Sequence, residues 1–385
     1  MKEYIHRILI LAMACTAALL TGCEQSNEVS FTDDNNAPVV KGIADAVANE
    51  AVDSITIGQM IKVGGLHFGN VEKVKLNDIE IAWSKITRLR DGLYFVVPRI
   101  PRSTTNILIL ESKSGTYSYP VHIKFPPFSI TGILNEYTPK GKEITLTGES
   151  MDLYATNSSK LIFSNAEEGI SVETTLSYIS QNEIRAIVPL NAPDKATVTF
   201  YSADAGFRTC PVKYRDSEFV IENLEAGRPA TRYPEWVVPN ASYPEPLTIE
   251  PTEGVRYSHI YKISATAGST LNFVGNYNIT IPDQYYTNAE EYELKFEMLT
   301  IEPISYRIAV SVNWGTTWVP LGPSTLTNDS TQWFSTGKQW KTVSFPMATW
   351  KNKTGEKKLR VWNTLPANVL YDVCFDNFRI QKKSN

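Results

Sequence analysis

The chain is built from short segments in which apolar and polar residues alternate, separated by glycine, proline or asparagine. Arg307–Asn313 and Lys341–Phe345 are two such segments. A period of two residues is the pattern of a half-buried β-strand, and residues 216–385 contain no helical period of convincing length. The sequence therefore predicts an all-β chain made of β-sandwiches.

Two parts of the chain repeat the same order of segments. Ile61-Lys62-Val63-Gly64-Gly65 corresponds to Ile144-Thr145-Leu146-Thr147-Gly148, and Leu93–Pro98 corresponds to Ile184–Pro189. An internal repeat of this kind indicates two copies of one small sandwich. We predict immunoglobulin-like domains over residues 51–126 and 127–215, followed by a larger sandwich over residues 216–385. The prolines of Phe125-Pro126-Pro127-Phe128 favour a stiff linker between the two copies.

The N-terminus has the pattern of a secretion signal over residues 1–22. Lys2 and Arg7 precede an apolar run, and the junction Leu20-Thr21-Gly22-Cys23 resembles the bacterial lipobox. That resemblance implies lipidation of Cys23, which would anchor the protein to a membrane without spanning it. Residues 23–50 are polar and acidic, and we predict a flexible tether. The alternative is a soluble exported protein in which Cys23 is there by chance.

Composition argues against several functions. The net charge is –4, and no nucleic-acid partner is expected for such a chain. His67 and His122 lie in the first predicted domain and His259 in the last. So few histidines in each domain argue against a histidine-based metal centre or a Ser-His-Asp triad. A glycosidase needs only two suitably spaced carboxylates, so it stays open as a minor alternative. Cys210 and Cys374 are far apart, which favours free thiols over a disulfide, although the sequence excludes neither.

Tryptophan is concentrated near the C-terminus. Six of the eight tryptophans are Trp314, Trp318, Trp333, Trp340, Trp350 and Trp362. One sandwich core rarely needs so many indoles, and exposed aromatic clusters mark binding surfaces. Trp314 and Trp318 flank a predicted tight turn, and Trp333 lies in a polar stretch, so these three are candidate ligand contacts. Trp340 opens a strand and is interpreted as structural, while the role of Trp350 stays open.

Strand parity selects the other candidates. With the apolar residues of each strand facing the core, the opposite face carries Trp362, Arg360, Asn313, Arg307 and Glu297. A pyranose ring stacks on an indole, and its hydroxyls bond to amide, guanidinium and carboxylate groups. These five residues, with Trp314, Trp318 and Trp333, are the predicted glycan-binding set. No catalytic residue is predicted.

Three phrases carry a resemblance to known families. Ile144–Ser150, followed by a strand that ends in Val188-Pro189, resembles the IPT/TIG immunoglobulin-like domains. Gln339–Pro346 and Phe375–Ile380 resemble segments of carbohydrate-binding jelly rolls, in which such a last strand packs beside the first. The order of lipobox, tether, two TIG-like domains and Trp-rich jelly roll resembles the surface glycan-binding lipoproteins of polysaccharide-utilisation loci.

The resemblance implies a monomeric, non-catalytic protein on the outer membrane, facing the cell exterior. Its C-terminal domain would bind a polysaccharide, and the upstream domains would be spacers. The partner would be a starch-utilisation-type (SusC/SusD-like) transporter pair. A flat tryptophan platform favours a β-linked glucan or hemicellulose. The alternative from another class is an adhesive surface lipoprotein that binds proteins. No cofactor is predicted; calcium at Asp376-Asn377 is conceivable, but a turn or bulge there is favoured.

Overall fold

A computed structural model describes much of the chain after the predicted leader. The described residues are 35–89, 91–222, 248–252, 255–261, 270–278, 281–300, 304–305, 309–314, 317–321, 333–352, 358–364 and 372–383. The predicted signal, Cys23 and residues 24–34 of the tether lie outside them. The chain divides into two compact units, Met1–Pro126 and Pro127–Asn385. Within the described residues, no helix is both long and apolar enough to cross a membrane.

The first unit is a sandwich of two antiparallel sheets, ordered β1-β3-β7-β6 and β5-β4-β8-β9, with β2 and β10 paired in parallel. Val63 and Leu93 of the first sheet pack with Val74 and Leu110 of the second, all with essentially no exposed surface. Its strands are β1 Val39–Asp45, β2 Ile55–Thr56, β3 Met60–Leu66, β4 Val71–Leu76, β5 Ile79–Glu80, β6 Ile86–Leu89, β7 Gly92–Val96, β8 Asn106–Ser112, β9 Gly115–Val121 and β10 Ile123–Lys124; a 3₁₀ turn spans Trp83–Lys85.

The predicted tether extends too far into the chain. Val39–Asp45 is strand β1, which pairs with β3 from Val39 opposite Leu66 to Asp45 opposite Ile61. Val40 and Ile43 are buried in the core of the first unit. Two buried side chains are enough to attach this segment to a sheet, although its neighbours are acidic and polar. The folded domain therefore starts before residue 51, the predicted boundary.

The second unit begins with a domain of the same design, whose strands run in the order β11-β12-β15-β14-β13-β16-β17. The long strand β14 joins the two halves, because its first part pairs with β13 and its last part with β15. The elements are β11 Ser129–Ile133, β12 Glu143–Glu149, α1 Met151–Tyr154, β13 Lys160–Asn165, β14 Ile170–Ile179, β15 Glu183–Ile187, β16 Thr197–Ser202 and β17 Gly206–Thr209.

The two copies share a glycine at the same position, and the same steric constraint requires it in both. Gly65 pairs with Val40, and Gly148 pairs with Ile130, each at the end of its strand and beside a β-bulge. A Cβ atom at Gly65 would collide with the carbonyl oxygen of Val39, and one at Gly148 would collide with that of Ser129. Both positions therefore need a residue without a side chain. The repeated Ile-x-x-x-Gly phrase thus reflects a close backbone approach in each domain.

Cys210 is a free, buried cysteine, as the sequence favoured. Burial raises the pKa of its thiol to about 11. Because the thiolate is the reactive form, only about a thousandth of Cys210 would be reactive at pH 8. We expect iodoacetamide to leave the Cys210 peptide unmodified in the native protein and to modify it fully in urea, as measured by mass spectrometry. Equal modification rates in the two conditions would contradict this burial.

The C-terminal sandwich has one sheet ordered β19-β20-β29-β22-β27, with β18 also paired to β29, and a second sheet ordered β21-β28-β24-β25. Its elements are β18 Phe219–Glu222, β19 Thr248–Thr252, β20 Val255–Tyr261, β21 Thr270–Asn278, α2 Gln284–Thr287, β22 Tyr292–Thr300, β23 Ile304–Ser305, β24 Ala309–Trp314, β25 Thr317–Leu321, β26 Trp333–Phe334, β27 Lys341–Pro346, β28 Lys358–Thr364 and β29 Asp372–Lys382, with 3₁₀ turns at Ala289–Glu291 and Ala348–Trp350.

The closing strand β29 lies beside the first strand of this domain, β18, as the jelly-roll resemblance implied. The core on this side is aromatic: Phe296 packs against Phe345, Phe375 and Phe378, with ring centroids 4.9–5.7 Å apart. Leu294 and Met298 flank Phe296 on β22 and have no exposed surface. The apolar residues of β22 thus face the core of the sandwich. Almost all of the regular secondary structure in the described residues is β-strand, which confirms the all-β prediction.

Candidate functional site

The sheet β21-β28-β24-β25 brings together residues that the sequence separates. In the β24–β28 ladder, Ala309 lies opposite Trp362 and Ser311 lies opposite Arg360. Residues directly opposite each other in an antiparallel pair share one face of the sheet. Trp362, Arg360, Ala309 and Ser311 therefore share a face, while Val310 and Val312 share the other face with Val361 and Leu359.

The next strand extends the same face. In the β24–β25 hairpin, Asn313 lies opposite Trp318 and Ser311 lies opposite Pro320. Asn313 has the parity of Ser311, so Trp318 lies on the face of Trp362. On the other side of β28, Asn272 of β21 lies opposite Trp362. We call this surface the platform face, defined by Asn272, Ala309, Ser311, Asn313, Trp318, Pro320, Arg360 and Trp362.

The platform face combines the chemical groups that sugar recognition needs. It carries two tryptophans, two asparagines, a serine and an arginine, and its remaining members on β24 and β25 are alanine and proline. An indole provides an apolar surface for the C–H face of a sugar ring, and amide and guanidinium groups bond to hydroxyls. Its aliphatic counterpart, with Val310, Val312, Leu359 and Val361, has the composition of a core face. The platform face is therefore the candidate site.

Trp314 does not belong to this face. It lies opposite Thr317, at the end of the hairpin, and has the parity of Val310 and Val312. The prediction that Trp314 shares a groove with Trp362 is wrong on this register. The sequence argument took Trp314 as an extension of Asn313, but adjacent residues of a strand lie on opposite faces.

One further candidate lies in another sheet, and one lies outside the described residues. Trp333 is in β26, which pairs with β23 in a separate two-stranded sheet, with Ser305 opposite Trp333. Arg307 lies outside the described residues. Asn272, in contrast, was missed by the sequence argument, because that argument did not consider the segment Thr270–Asn278. The polar Asn272 between Leu271 and Phe273 is the signal that could have identified it.

Glu297 is buried, contrary to its predicted exposure. It lies on the face of β22 opposite Leu294, Phe296 and Met298, as parity required, yet it is only 2% exposed. Arg379 Nη1 donates to Glu297 Oε1 and Oε2 at 3.1 and 2.9 Å, and Thr342 Oγ1 donates to Oε1 at 2.9 Å. The preceding immunoglobulin-like domain covers this face. Glu297 is therefore a carboxylate of a domain interface rather than part of an exposed sheet surface.

The interface is a buried network of four charged side chains. Glu136 of the second immunoglobulin-like domain accepts from Arg379 Nη2 at 2.9 Å and from Lys295 Nζ at 2.7 Å. The side chains of Glu136, Lys295, Glu297 and Arg379 are each at most 4% exposed. The guanidinium of Arg379 also lies 4.3 Å from the centroid of the Tyr137 ring. Two carboxylates and two cations balance, which is the condition for keeping charges away from water.

The pKa values in the network show burial and pairing acting against each other. Burial raises the pKa of Glu297, and the guanidinium of Arg379 opposes that rise. Burial acts to lower the pKa of Arg379, but Glu297 and Glu136 outweigh it, so that pKa lies above its ordinary value. Burial also raises the pKa of Tyr137. Arg379 therefore remains positively charged at neutral pH and holds the two carboxylates together.

The described residues contain no group of three or more histidine, cysteine, aspartate or glutamate side chains arranged to hold a metal ion. Asp376 and Asn377, the conceivable calcium ligands, lie at a β-bulge. The β22–β29 register shifts between Lys295 and Glu297, and Asn377 has a φ of 52°. The backbone N–H of Asn377 donates to Asp376 Oδ1 at 2.8 Å. The bulge that the sequence favoured at this place is confirmed.

No protein-family profile and no curated protein sequence matches the chain. Similar solved structures include a surface glycan-binding protein from Prevotella bryantii, with 17% identity and a TM-score of 0.47, covering 90% of this chain and 99% of that one. Another is a surface glycan-binding protein from a xyloglucan utilisation locus in Bacteroides uniformis, with 15% identity, a TM-score of 0.48, and coverage of 90% and 100%.

A third is a surface glycan-binding protein of a Bacteroides ovatus mixed-linkage glucan utilisation locus, in complex with a mixed-linkage heptasaccharide. It has 12% identity and a TM-score of 0.26, and covers 88% of this chain and 74% of that one. All three neighbours are surface glycan-binding proteins, the class that the domain order resembles, and the similarity spans most of the chain at low identity. With TM-scores below 0.5, they identify no binding residue in this chain.

Proposed function

We propose that this protein is a non-catalytic glycan-binding protein that captures a polysaccharide on the platform face. The observation that carries the proposal is the strand register, which aligns Trp318, Asn313, Arg360 and Trp362 on one face of β21-β28-β24-β25. Residues from three neighbouring strands then offer a strip of stacking and hydrogen-bonding groups. The immunoglobulin-like domains would hold this strip away from the membrane.

The proposed ligand is a β-linked glucan or a hemicellulose. A flat sheet face suits an extended chain whose successive rings lie in a strip, whereas a helical α-glucan curves away from it. The test is electrophoresis in native gels containing xyloglucan, mixed-linkage β-glucan or glycogen. We expect at least one of the two β-glucans to retard the protein and glycogen to leave it unretarded. Retardation by glycogen alone would overturn the assignment of the ligand.

Replacing Trp362 tests the platform face directly. Loss of a sugar-stacking indole at the centre of a site is expected to cost about 1–3 kcal/mol, a roughly tenfold or greater fall in affinity. We therefore expect Trp362→Ala to weaken binding to the retained β-glucan while melting close to the wild-type temperature. Isothermal titration calorimetry and thermal melts of the same samples measure the two effects.

Trp314→Ala is the matched control, because it removes the same side chain from the opposite face of the same sheet. It should leave the affinity of the folded protein unchanged. If Trp314→Ala weakens binding tenfold and Trp362→Ala does not, the platform face is assigned to the wrong side of the sheet.

We further propose that lipidation of Cys23 anchors the protein in the outer membrane, facing the cell exterior, beside a SusC/SusD-like transporter pair. The support is the lipobox-like sequence Leu20-Thr21-Gly22-Cys23. We expect Cys23→Ala to abolish labelling by radioactive palmitate and to remove the protein from the outer-membrane fraction. If the Cys23→Ala variant still takes up palmitate, the lipid is attached at a residue other than Cys23, and the proposal is wrong.

A further inference from the structure

A cleft lined by both apolar and polar groups lies in the Pro127–Asn385 unit, between the second immunoglobulin-like domain and the C-terminal sandwich. Its volume is about 500 Å³, within the range of small-molecule sites. The strand segment Lys142–Thr145 and the loop Leu134–Pro139 form one wall, and Lys338–Trp340 with Asp376-Asn377 form the other. The platform face contributes no residue to this lining.

The walls of the cleft are fixed in place before any ligand arrives. The buried pair between Glu136 and Arg379 crosses between the two domains at 2.9 Å. Beside it, the backbone N–H of Thr342 donates to the carbonyl of Leu134 at 2.9 Å, and the N–H of Glu136 donates to Thr342 Oγ1 at 2.9 Å. A cleft between tightly joined walls loses little conformational entropy on binding, which favours affinity.

Two left-handed backbone positions shape the wall that the sandwich contributes. Lys338 has a φ of 60° directly after Gly337 at 69°, so the loop turns sharply just before Trp340, which is half-buried in the cleft. Asn377 is distant from Lys338 in the sequence but lies in the same wall; it is the bulged residue of β29 and has a φ of 52°. Non-glycine residues in this conformation cluster at functional sites. The two irregularities place an indole and an amide in one cleft.

The lining carries charges of both signs, and the carboxylates Glu143 and Glu297 already have cationic partners. Arg185 pairs with Glu143 at 3.4 Å, and Glu297, which is 2% exposed, pairs with Arg379 outside the lining. Such a lining offers donors and acceptors to a ligand without selecting an ion. Trp340 and Tyr137 add aromatic surface. A neutral molecule with many hydroxyls and an apolar ring face matches this set, whereas a nucleotide or an acidic sugar would need excess positive charge.

We propose that this cleft is a second saccharide site, which takes a neutral oligosaccharide segment beside Trp340. The inference extends the proposed function, because one chain would then hold a polysaccharide at two places. Two linked sites raise the affinity for a long polymer far above that for a short fragment, since the second contact becomes intramolecular. Short oligosaccharides can occupy the sites separately.

Thr145→Trp is the variant that tests the cleft. Thr145 is half-buried in the lining, on the face of β12 opposite the core residues Ile144 and Leu146, so a larger side chain there fills the cleft and leaves the core intact. Thr175→Trp, at an exposed position of β14 outside the lining, is the matched control. The probe is a neutral mixed-linkage β-glucan heptasaccharide, titrated calorimetrically into the full-length protein.

We expect two sites per chain in the wild type and in Thr175→Trp. Thr145→Trp should retain only the platform site. Trp362→Ala should keep the cleft site unchanged and weaken the platform site about tenfold or more, and the double variant should keep only that weakened site. One site that survives Thr145→Trp and weakens in Trp362→Ala would overturn the cleft proposal and leave the platform face standing. One site that survives Trp362→Ala and disappears in Thr145→Trp would support the cleft and overturn the platform face. Preferential binding of an oligogalacturonate to the cleft would overturn its assignment to a neutral ligand.

Discussion

Replacing Arg379 with alanine is expected to lower the free energy of unfolding of the Pro127–Asn385 unit by about 3–5 kcal/mol. Arg379 is 1% exposed and pairs with both Glu297 and Glu136. Without the guanidinium, Glu136 would still pair with Lys295, but Glu297 would lose its cation and keep the hydroxyl of Thr342, so that its negative charge would stay unbalanced away from water. Chemical denaturation followed by circular dichroism measures the loss.

Arg185 provides a matched control for this prediction. Like Arg379, it pairs with two carboxylates, Glu143 and Glu183, and its guanidinium lies over a tyrosine ring, 4.6 Å from the centroid of Tyr178. Its side chain is 30% exposed, however, so water already screens the pairs. Arg185→Ala should cost about 1 kcal/mol or less. Equal losses in the two variants would show that burial of the Arg379 network does not set its contribution.

The network also joins the last domain to the one before it. Lys295 and Arg379 belong to the C-terminal sandwich, but both pair with Glu136 of the preceding domain. Removing residues before 216 would expose Glu297 and both cations on an open sheet. The predicted boundary near residue 216 therefore separates two sandwiches whose facing surfaces depend on each other, in agreement with their membership of one compact unit.

Local patterns predicted the strands well, because alternation and turn residues act over a few positions. The repeat was visible for the same reason: Gly65 and Gly148 are both required because a side chain at either position would collide with the backbone of a neighbouring strand. Parity also separated the two faces of β28, placing Arg360 and Trp362 opposite Leu359 and Val361, as the β24–β28 register does. Whether that face binds a glycan is still a prediction.

Strand parity shows which residues share a face of a sheet, but it does not show which other part of the protein packs on that face. Glu297 was assigned correctly to the side of β22 opposite Phe296, but its exposure depends on Glu136, which lies 161 positions earlier in the chain. No short pattern encodes such a contact. Strand β1 was missed for a related reason: its pairing with β3, rather than its own composition, makes Val39–Asp45 a strand.

The sequence left the role of Trp350 open. Among the tryptophans whose side chains the structure describes, which are Trp83, Trp340 and Trp350, it has the largest expected effect on stability. It has no exposed surface and stacks on Tyr286, with ring centroids 6.2 Å apart and planes at 28°. Its segment is fixed further, since the N–H of Asn352 donates to the carbonyl of Tyr286 at 2.8 Å. Trp350→Ala would leave a cavity of indole size and should cost about 3–5 kcal/mol. Equilibrium unfolding in urea measures it.

Trp340→Ala is the comparison that makes this result informative. The sequence interpreted Trp340 as structural, but its ring is half-buried and lines the interdomain cleft. Part of its surface is in water in the folded state, so truncation should cost less than at Trp350. The two variants remove the same side chain from one domain and differ in burial. If Trp340→Ala proves the more destabilising, Trp340 contributes to the sandwich more than its exposure indicates, and the cleft is less open than described.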